Sequence, residues 1–315
     1  MAEVVCGGIV IADIVVRPVD RMPRRGILES ADTIDLCIGG CAANTGSALA
    51  RLGVETALVG RVGDDNTGRF LKDALAREGL DLSALHTDKK LGTSATNVLV
   101  ASDGERTFVH TQGANAALKD TDFPLERFKD ARLLHCGGIL LNAGMKGAPL
   151  ARLLRRGRKL GLITSVDTVW DVNGNWLSFV EDALPYSDIF FANESEALRI
   201  TGRKTPERMA DFFLERGVGL AVIKRGEKGS LIATAEGKTA VPAYKVKCVD
   251  TTGAGDAYVG GFLFGILRGW KPEKCARFGA AVASLSTLAP GAVTALPTYK
   301  QALAALKKWD PTFKG

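Results

Sequence analysis

The chain has 315 residues, of which 46% are hydrophobic and 24% are charged, a composition typical of globular proteins and not of disordered chains. Its 41 basic and 35 acidic residues give a net charge of +6, without the basic stripe that a nucleic-acid-binding protein usually carries. Six cysteines contain no C-x-x-C pair and only three histidines accompany them, so we expect no structural zinc site.

The N-terminal apolar run from Val4 to Ile11 is not typical of an export or membrane segment. Glu3 stands where a signal peptide carries positive charge, and Asp13 closes the run after too few residues to span a bilayer. Together with the cysteine pattern, this predicts a cytoplasmic protein that has neither a membrane nor a nucleic acid as partner.

Short, β-branched apolar runs alternate with helical patterns along most of the chain. Such runs are typical of strands buried on both faces of a parallel sheet, and helices between them indicate right-handed βαβ crossovers. We predict strands at 4–11, 56–62, 132–136, 162–166, 187–191 and 219–224, and helices at 44–52, 67–78, 149–160, 194–201, 206–216 and 258–267. The predicted fold is one α/β domain over residues 1–315, with a central, mostly parallel sheet flanked by helices on both faces.

Two regions interrupt this alternation. Residues 13–36 have no helical pattern, and residues 93–111 have the pattern of two strands around the Asp103-Gly104 turn, which is a strong hairpin signal. We expect the two regions to form a small β-sheet that acts as a lid over a ligand cleft and excludes water. A pair of surface hairpins would give the same pattern.

The most informative motif is followed directly by an apolar helical pattern; it is Asp250-Thr251-Thr252-Gly253-Ala254-Gly255-Asp256. Small residues leave backbone N–H groups uncovered at a helix N-terminus, where the helix dipole also favours negative charge. The motif therefore predicts an anion site, with Asp256 placed to take a proton from a hydroxyl group during phosphoryl transfer. An aspartate that only caps the helix would have the same local pattern.

A second glycine motif lies early in the chain, at Gly39-Gly40-Cys41-Ala42-Ala43-Asn44. Its paired glycines permit close approach of the backbone, and the side chain of Asn44 can both donate to and accept from hydroxyl groups. Taken alone, this motif has little specificity.

Together the two motifs resemble the signatures of the ribokinase-like carbohydrate kinases, also called the PfkB family. Residues 39–65, GGCAANTGSALARLGVETALVGRVGDD, resemble the N-terminal signature, and residues 250–263, DTTGAGDAYVGGFL, resemble the highly specific C-terminal one. Between them, NESE at 193–196 is similar to the N-x-x-E motif and KRGEKG at 224–229 to the nucleotide loop. The resemblance covers about residues 4–297 and implies a ribokinase-like fold, with ATP as phosphoryl donor and Mg²⁺ as cofactor.

The resemblance also implies a role for each matching residue. Asp256 would be the general base, and the anion hole would be formed by Gly253, Ala254 and Gly255. Substrate contacts would come from Asp13, Gly39, Gly40, Asn44 and Asn115. The nucleotide would be bound by Asn193, Lys224, Gly226 and Gly229. Glu196 would hold Mg²⁺ through water, and the K⁺ ion that several members bind would be held here by carbonyl groups of Asp250, Thr252, Ala289 and Gly291.

Purely structural roles remain open for several of these residues. Glu196 could simply cap its helix as a first-turn acid. The 224–229 loop could be a tight turn between two strands, and Gly113-Ala114-Asn115 could be a turn that touches no ligand. His135 is expected to be a core or rim histidine and not a catalytic one.

Two positions separate the chain from the ribokinase branch, which has Lys where this sequence has Cys41 and Asn where it has Ile11. Residues 167–171 and the Gly137-Gly138 pair look more like fructokinase-like and ketodeoxygluconate-kinase-like members. The predicted function is ATP-dependent phosphorylation of a hydroxymethyl group on a sugar or sugar-like substrate. A nucleoside kinase of the same fold is the alternative.

Two other classes of protein fit the sequence less well. A dinucleotide-binding oxidoreductase requires G-x-G-x-x-G after the first strand, and no such fingerprint follows Gly7-Gly8. A sugar-binding protein without activity has no use for a base at Asp256. We also expect the small sheet to pack against the same sheet of a second subunit, which would give a symmetric homodimer.

Overall fold

The computed structural model describes residues 2–22 and 24–313, and within these ranges the chain forms two β-sheets. The strands of this part of the chain are β1 (Val4–Gly8), β2 (Ile11–Arg17), β3 (Thr33–Gly39), β4 (Thr56–Gly63), β5 (Leu85–Asp88), β6 (Ala95–Val100), β7 (Arg106–Thr111), β8 (Leu133–Gly137), β9 (Ile163–Asp167), β10 (Ile189–Asn193), β11 (Leu220–Lys224), β12 (Ser230–Thr234) and β13 (Gly237–Val241).

The large sheet has the strand order β13-β12-β11-β10-β9-β8-β1-β4-β5. Seven neighbouring strands, from β11 to β5, run parallel, and the β12–β13 hairpin adds two antiparallel strands at one edge. The small sheet has the order β3-β2-β6-β7, with only β2 and β6 parallel to each other. The mostly parallel central sheet and the separate small sheet are both as predicted, including the hairpin around Asp103-Gly104.

Helices cover both faces of the large sheet and form two hydrophobic cores with it. One core includes Phe191 and Phe262, and the other includes Phe190 and Phe213. Within the described ranges, no helix has the length and apolar character needed to span a bilayer. The helices are α1 (Cys41–Arg51), α2 (Asn66–Arg77), α7 (Ala254–Leu267), α8 (Pro272–Ser286) and α9 (Tyr299–Trp309) on the first face, and α3 (Ala148–Lys159), α4 (Leu177–Val180), α5 (Glu194–Thr201) and α6 (Pro206–Leu214) on the second.

The predicted strand over residues 4–11 is two strands in the structure, because the chain leaves the large sheet at Gly8. This residue has a φ of 139°, and a Cβ atom there would lie 2.0 Å from the carbonyl oxygen of Gly137. Only glycine tolerates this combination. The chain then enters the small sheet at Ile11, two residues before the predicted start of this region at Asp13.

Two helices begin earlier than the sequence pattern predicted. The first starts at Cys41 instead of Asn44, and the apolar helix near the C-terminal motif starts at Ala254 instead of Tyr258. Their N-caps are Gly40 and Gly253, both with positive φ. Asn44 and Asp256 therefore lie inside the first turns of α1 and α7.

Candidate active site

The two glycine motifs meet at the carboxyl-terminal edge of the large sheet, where ligands of open α/β folds usually bind. Nδ2 of Asn44 donates a 2.8 Å hydrogen bond to Oδ2 of Asp256 across 212 residues of sequence. Both side chains are buried, with exposures of 5% for Asn44 and 8% for Asp256. Oδ1 of Asn44 has no hydrogen-bond partner among the described residues, so a substrate hydroxyl group would satisfy it.

Burial raises the pKa of Asp256 above its ordinary value. The positive charge of Lys224 and hydrogen bonds from Asn44 and Cys41 act against this shift. The result is a carboxylate that is more basic than an exposed aspartate, which is the direction that favours a proton acceptor.

A buried ion pair lies beside the predicted anion hole. Nζ of Lys224 is 2.7 Å from Oδ1 of Asp167, and a Cβ atom on Gly255 would lie 3.5 Å from the same Nζ. Burial alone would lower the pKa of Lys224, but the carboxylates of Asp167, Glu196 and Asp256 outweigh it and raise that pKa. A permanently charged ammonium group therefore borders the loop of residues 250–256, which we call the anion loop.

Asp13 reaches the site from the small sheet. A Cβ atom on Gly39 would lie 2.1 Å from Oδ2 of Asp13, so the glycine makes room for the carboxylate. Burial raises the pKa of Asp13 to about 7, a hydrogen bond with Thr96 opposes the shift, and the negative charge of Asp256 adds to it. The predicted substrate-binding carboxylate and the predicted base thus lie within electrostatic reach of each other.

Asn193 and Glu196 form a reciprocal cap at the start of α5. Oδ1 of Asn193 accepts from the backbone N–H of Glu196 at 2.8 Å, and Oε2 of Glu196 accepts from the N–H of Asn193 at 3.1 Å and from the hydroxyl of Thr168 at 2.7 Å. The structural alternative for Glu196 is therefore realised. It also holds this buried carboxylate in one orientation, within electrostatic reach of Lys224.

The side chain of Asn115, a predicted substrate contact, is bonded to the backbone of Val10. Its side chain accepts from the backbone N–H of Val10 at 3.2 Å and donates to the carbonyl of Val10 at 2.9 Å. These bonds fix the crossing between β1 and β2, because they satisfy both backbone groups of a residue that lies between two sheets. The structure thus gives Asn115 a structural role.

Gly226 and Gly229 form the tight turn between β11 and β12. The N–H of Arg225 donates to the carbonyl of Gly229, and the N–H of Gly229 donates to that of Gly226. A Cβ atom on Gly229 would lie 2.0 Å from the carbonyl of Val241, whereas nothing approaches Gly226 within 4 Å. Close packing explains Gly229, and Gly226 has a φ of 58° that favours glycine, with open space around it.

The carboxylate of Asp250 joins the two loops to which the sequence assigned a K⁺ site. Its Oδ1 accepts from the N–H and hydroxyl of Thr252 at 2.8 and 2.6 Å, and its Oδ2 accepts from the N–H of Gly291 at 2.9 Å. Of the four predicted ligand residues, Asp250, Thr252 and Gly291 are thus held together by direct bonds. Ala289 lies two residues before Gly291 on the same loop.

The comparison with known proteins agrees with this geometry. The family model described as pfkB family carbohydrate kinase matches residues 1–299. The chain belongs to this family. It is thus a carbohydrate kinase that transfers a phosphoryl group from ATP to a sugar-like substrate, as the sequence predicted.

Individual relatives of this carbohydrate kinase have different substrates in their names. It is 29% identical over 287 residues to 2-dehydro-3-deoxygluconokinase of Bacillus subtilis, covering 88% of each chain. It is 30% identical over 273 residues to aminoimidazole riboside kinase of Salmonella typhimurium, covering 83% of this chain and 85% of that protein. The structure of Arabidopsis thaliana ribokinase complexed with ribose and ATP has a TM-score of 0.82 at 29% identity, over 98% and 99% of the two chains.

Three residues that border the site of this kinase were not predicted as site residues from the sequence. Asp167 was noted only as part of a segment, although a polar residue at the end of a buried parallel strand is a recognisable signal. Cys41 was treated as a departure from the ribokinase branch, not as a donor to Asp256. Arg106, whose side chain reaches the anion loop, carries no signal that sequence alone could supply.

Proposed function

We propose that Asp256 is the general base of this kinase and that it deprotonates a hydroxymethyl group of a sugar-like substrate. The observation that carries the proposal is the position of its buried carboxylate in the first turn of α7, bonded to Asn44 and facing Lys224. The N–H groups of Gly253 and Gly255 would stabilise charge on the transferring phosphoryl group, and the N–H of Ala254, which donates to the carbonyl of Thr251 at 3.2 Å in the structure, would exchange that partner for a phosphate oxygen. Asp13, Gly39, Gly40 and Asn44 would hold the sugar.

The residues present fit ATP and Mg²⁺. Nζ of Lys224 can donate to phosphate oxygens, and the open space at Gly226 leaves room for them. The unpartnered Oδ2 of Asp167 and the carboxylate of Glu196 can accept hydrogen bonds from water bound to a hard cation. Mg²⁺ would supply charge neutralisation between the phosphates when it is bound. Asn193 would position the Glu196 carboxylate, and Gly229 would shape the turn. Carbonyls of Asp250, Thr252, Ala289 and Gly291 would form the K⁺ site.

We further propose that the small sheet is a lid on a single domain and that the substrate is not ribose. Ile11 and Cys41 pack with Ile9, Leu141 and Val169 in a small apolar cluster at the site. An apolar wall offers no hydrogen bond to a hydroxyl group, so a sugar with fewer hydroxyl groups on this side would fit better. A nucleoside remains the alternative, because the 56%-exposed ring of Phe108 on β7 could stack on a base.

The decisive experiment is a panel of sugars, sugar acids and nucleosides assayed by ADP release, followed by single-turnover kinetics of Asp256→Asn on the best substrate. We expect the substitution to slow phosphoryl transfer by about 10²–10⁴-fold with nearly unchanged ATP binding. Asp188→Asn is the matched control, because Asp188 bonds Thr164 outside the candidate site. A loss of less than tenfold for Asp256→Asn would reject Asp256 as the base.

We also propose a cytoplasmic homodimer that forms through the small sheet. All six cysteines are free, which supports a reducing location. By the strand register, Ile34, Leu36 and Val109 share the face opposite Asp13, with exposures of 70%, 43% and 55%. Val98 lies on the Asp13 face and is already buried within one chain.

Light scattering at micromolar concentration tests this assembly. We expect a mass of two chains for the unmodified protein and of one chain for Ile34→Lys, because the charge would be buried in the interface. Leu160→Lys is the control, since Leu160 is similarly exposed at the end of α3. A monomeric unmodified protein would contradict the dimer and leave the lid proposal standing.

A further inference from the structure

Arg106, the first residue of β7, connects the small sheet to the anion loop. Its Nη1 donates to the hydroxyl of Thr252 at 2.6 Å, and its Nη2 donates to the hydroxyl of Thr251 at 3.0 Å. Its guanidinium group is also 3.7 Å from the carboxylate of Asp250. A planar guanidinium that forms two such bonds fixes direction as well as distance.

The contact continues through the anion loop to a second loop. The hydroxyl of Thr252 accepts from Arg106 and donates to Oδ1 of Asp250, whose Oδ2 accepts from the N–H of Gly291. The next residue, Gly253, has a φ of 72° and packs so closely that a Cβ atom would lie 2.5 Å from that of Ala292. The anion loop is thus held by the 291–292 segment on one side and by Arg106 on the other.

We propose that Arg106 is a positioning residue that couples closure of the small sheet to the geometry of the anion loop. When the sheet lies over the cleft, the guanidinium fixes Thr251 and Thr252 and thereby the N–H groups that follow them. When the sheet opens, the loop loses this support. The inference rests on the proposed function, because it assumes that phosphoryl transfer occurs at this loop.

A direct contact between Arg106 and a phosphate is the competing role. In the structure, however, both Nη atoms bond to threonines, and the carboxylate of Asp250, 3.7 Å from the guanidinium, compensates its charge. The geometry therefore favours an action through the loop. Action through the loop predicts that substitutions of Arg106 and Thr251 have non-additive effects on the free energy of activation, whereas direct phosphate binding predicts additive ones.

The test is a double-mutant cycle of Arg106→Gln and Thr251→Val, measured as kcat and KM on the best substrate of the panel. A misplacement of about 1 Å can cost on the order of 10²-fold in rate, so we expect Arg106→Gln to lower kcat by about 10- to 100-fold with little change in the KM for ATP. Thr251→Val should have a smaller effect alone and almost none in the Arg106→Gln background. Arg106→Lys should recover only part of kcat, because an ammonium group lacks the planar fork.

Asp20→Asn is the matched control, since Asp20 bonds the N–H and hydroxyl of Ser102 in the turn between β6 and β7, beside Arg106, and these bonds do not involve the anion loop. We expect its kcat to stay within about twofold of the unmodified enzyme, on the scale of other exposed substitutions. Hydrogen exchange of residues 250–256 gives a readout independent of turnover. A non-hydrolysable ATP analogue plus the sugar should slow exchange in the unmodified chain and in Asp20→Asn, but not in Arg106→Gln.

Three results would overturn the proposal: a kcat of Arg106→Gln within twofold of the unmodified enzyme, multiplicative effects of the two substitutions, or full recovery by Arg106→Lys. Multiplicative effects with a raised KM for ATP would assign Arg106 to direct phosphate binding. Failure of the proposed function would look different, because Asp256→Asn would then remain active. If only the Arg106 inference fails, Asp256→Asn stays inactive while one of the three overturning results is obtained for Arg106.

Discussion

The two sides of the candidate site differ in how firmly the fold holds their side chains. On the large-sheet side, Asn44, Asp167 and Asp256 are all buried and hydrogen-bonded, and they belong to elements packed on both faces. On the small-sheet side, Asp13 and Arg106 project from a sheet whose other face is largely open to solvent. In the proposed closure, the groups that keep fixed geometry come from the core, and the groups that close over the substrate come from the less supported sheet.

Close helix packing explains the firmness of the large-sheet side. A Cβ atom on Gly260 of α7 would lie 2.6 Å from that of Ala48 on α1, and one on Gly261 would lie 2.9 Å from the Cα atom of Gly279 on α8. The helices that carry Asn44 and Asp256 are thus in backbone-close contact. A shift of α7 toward either neighbour would therefore create overlap with α1 or with α8.

Breaking the buried ion pair tests the large-sheet side most severely. We expect Lys224→Met to destabilise the protein by about 3–5 kcal/mol, because Asp167 would lose its cation in a buried site. We also expect it to lower kcat/KM by about 10²–10³-fold, because the charge beside the anion loop would be lost. Urea unfolding and steady-state kinetics measure the two effects.

Lys238→Met is the control for this substitution. Lys238 pairs with Asp211 at 2.6 Å, but both side chains are about a third exposed or more, so the expected cost is about 1 kcal/mol or less. Equal destabilisation by the two variants would contradict the view that the Lys224–Asp167 pair belongs to a firmly held, buried site.

Glu196→Gln separates the metal role of this residue from its capping role. Glutamine keeps a carbonyl oxygen that can accept from Asn193 and Thr168, so the start of α5 should stay intact. We expect the Mg²⁺ concentration for half-maximal activity to rise by about tenfold, on the scale of lost outer-shell metal contacts. Glu194→Gln, in the same first turn, is the control, and an unchanged Mg²⁺ titration of Glu196→Gln would remove Glu196 from the metal site.

Asp13→Asn sharpens the comparison from the small-sheet side, with the smallest expected effect. The pKa of Asp13 is about 7 in the folded chain against an ordinary value of 3.8. The folded state therefore holds this proton more tightly than the unfolded state, so stability falls as the pH rises from about 4 to 7 and remains lower above pH 7. Asn carries no such cost, and we expect it to raise Tm by roughly 2–4 °C at pH 8 and by less at pH 5.

Substrate kinetics complete this test. If Asp13 holds sugar hydroxyl groups, Asp13→Asn should raise the KM for the sugar while it stabilises the protein, a trade between stability and binding. Thermal unfolding at the two pH values and a sugar titration measure both sides. The change in Tm caused by Asp13→Asn is the quantity to compare at the two pH values. If this change is less favourable at pH 8 than at pH 5, burial of the Asp13 charge carries no cost.

Local chemistry explains how much of the fold and site could be read from the sequence. Apolar runs predicted most strands of the large sheet to within a few residues, and the Asp103-Gly104 turn predicted the β6–β7 hairpin. The two glycine motifs, around Asn44 and Asp256, predicted the segments that meet at the site. Each of these signals depends on neighbouring residues, which a sequence displays directly.

Only the tertiary structure decided the remaining features. At Gly8, where the first strand ends, the carbonyl of Gly137 leaves no room for a side chain, and the side chain of Asn115 is bonded to the backbone of Val10. Lys224 finds Asp167 across 57 residues, and Arg106 finds Thr252 across 146. Such partners depend on strand order, register and the packing of separate elements, so no local pattern in the sequence specifies them.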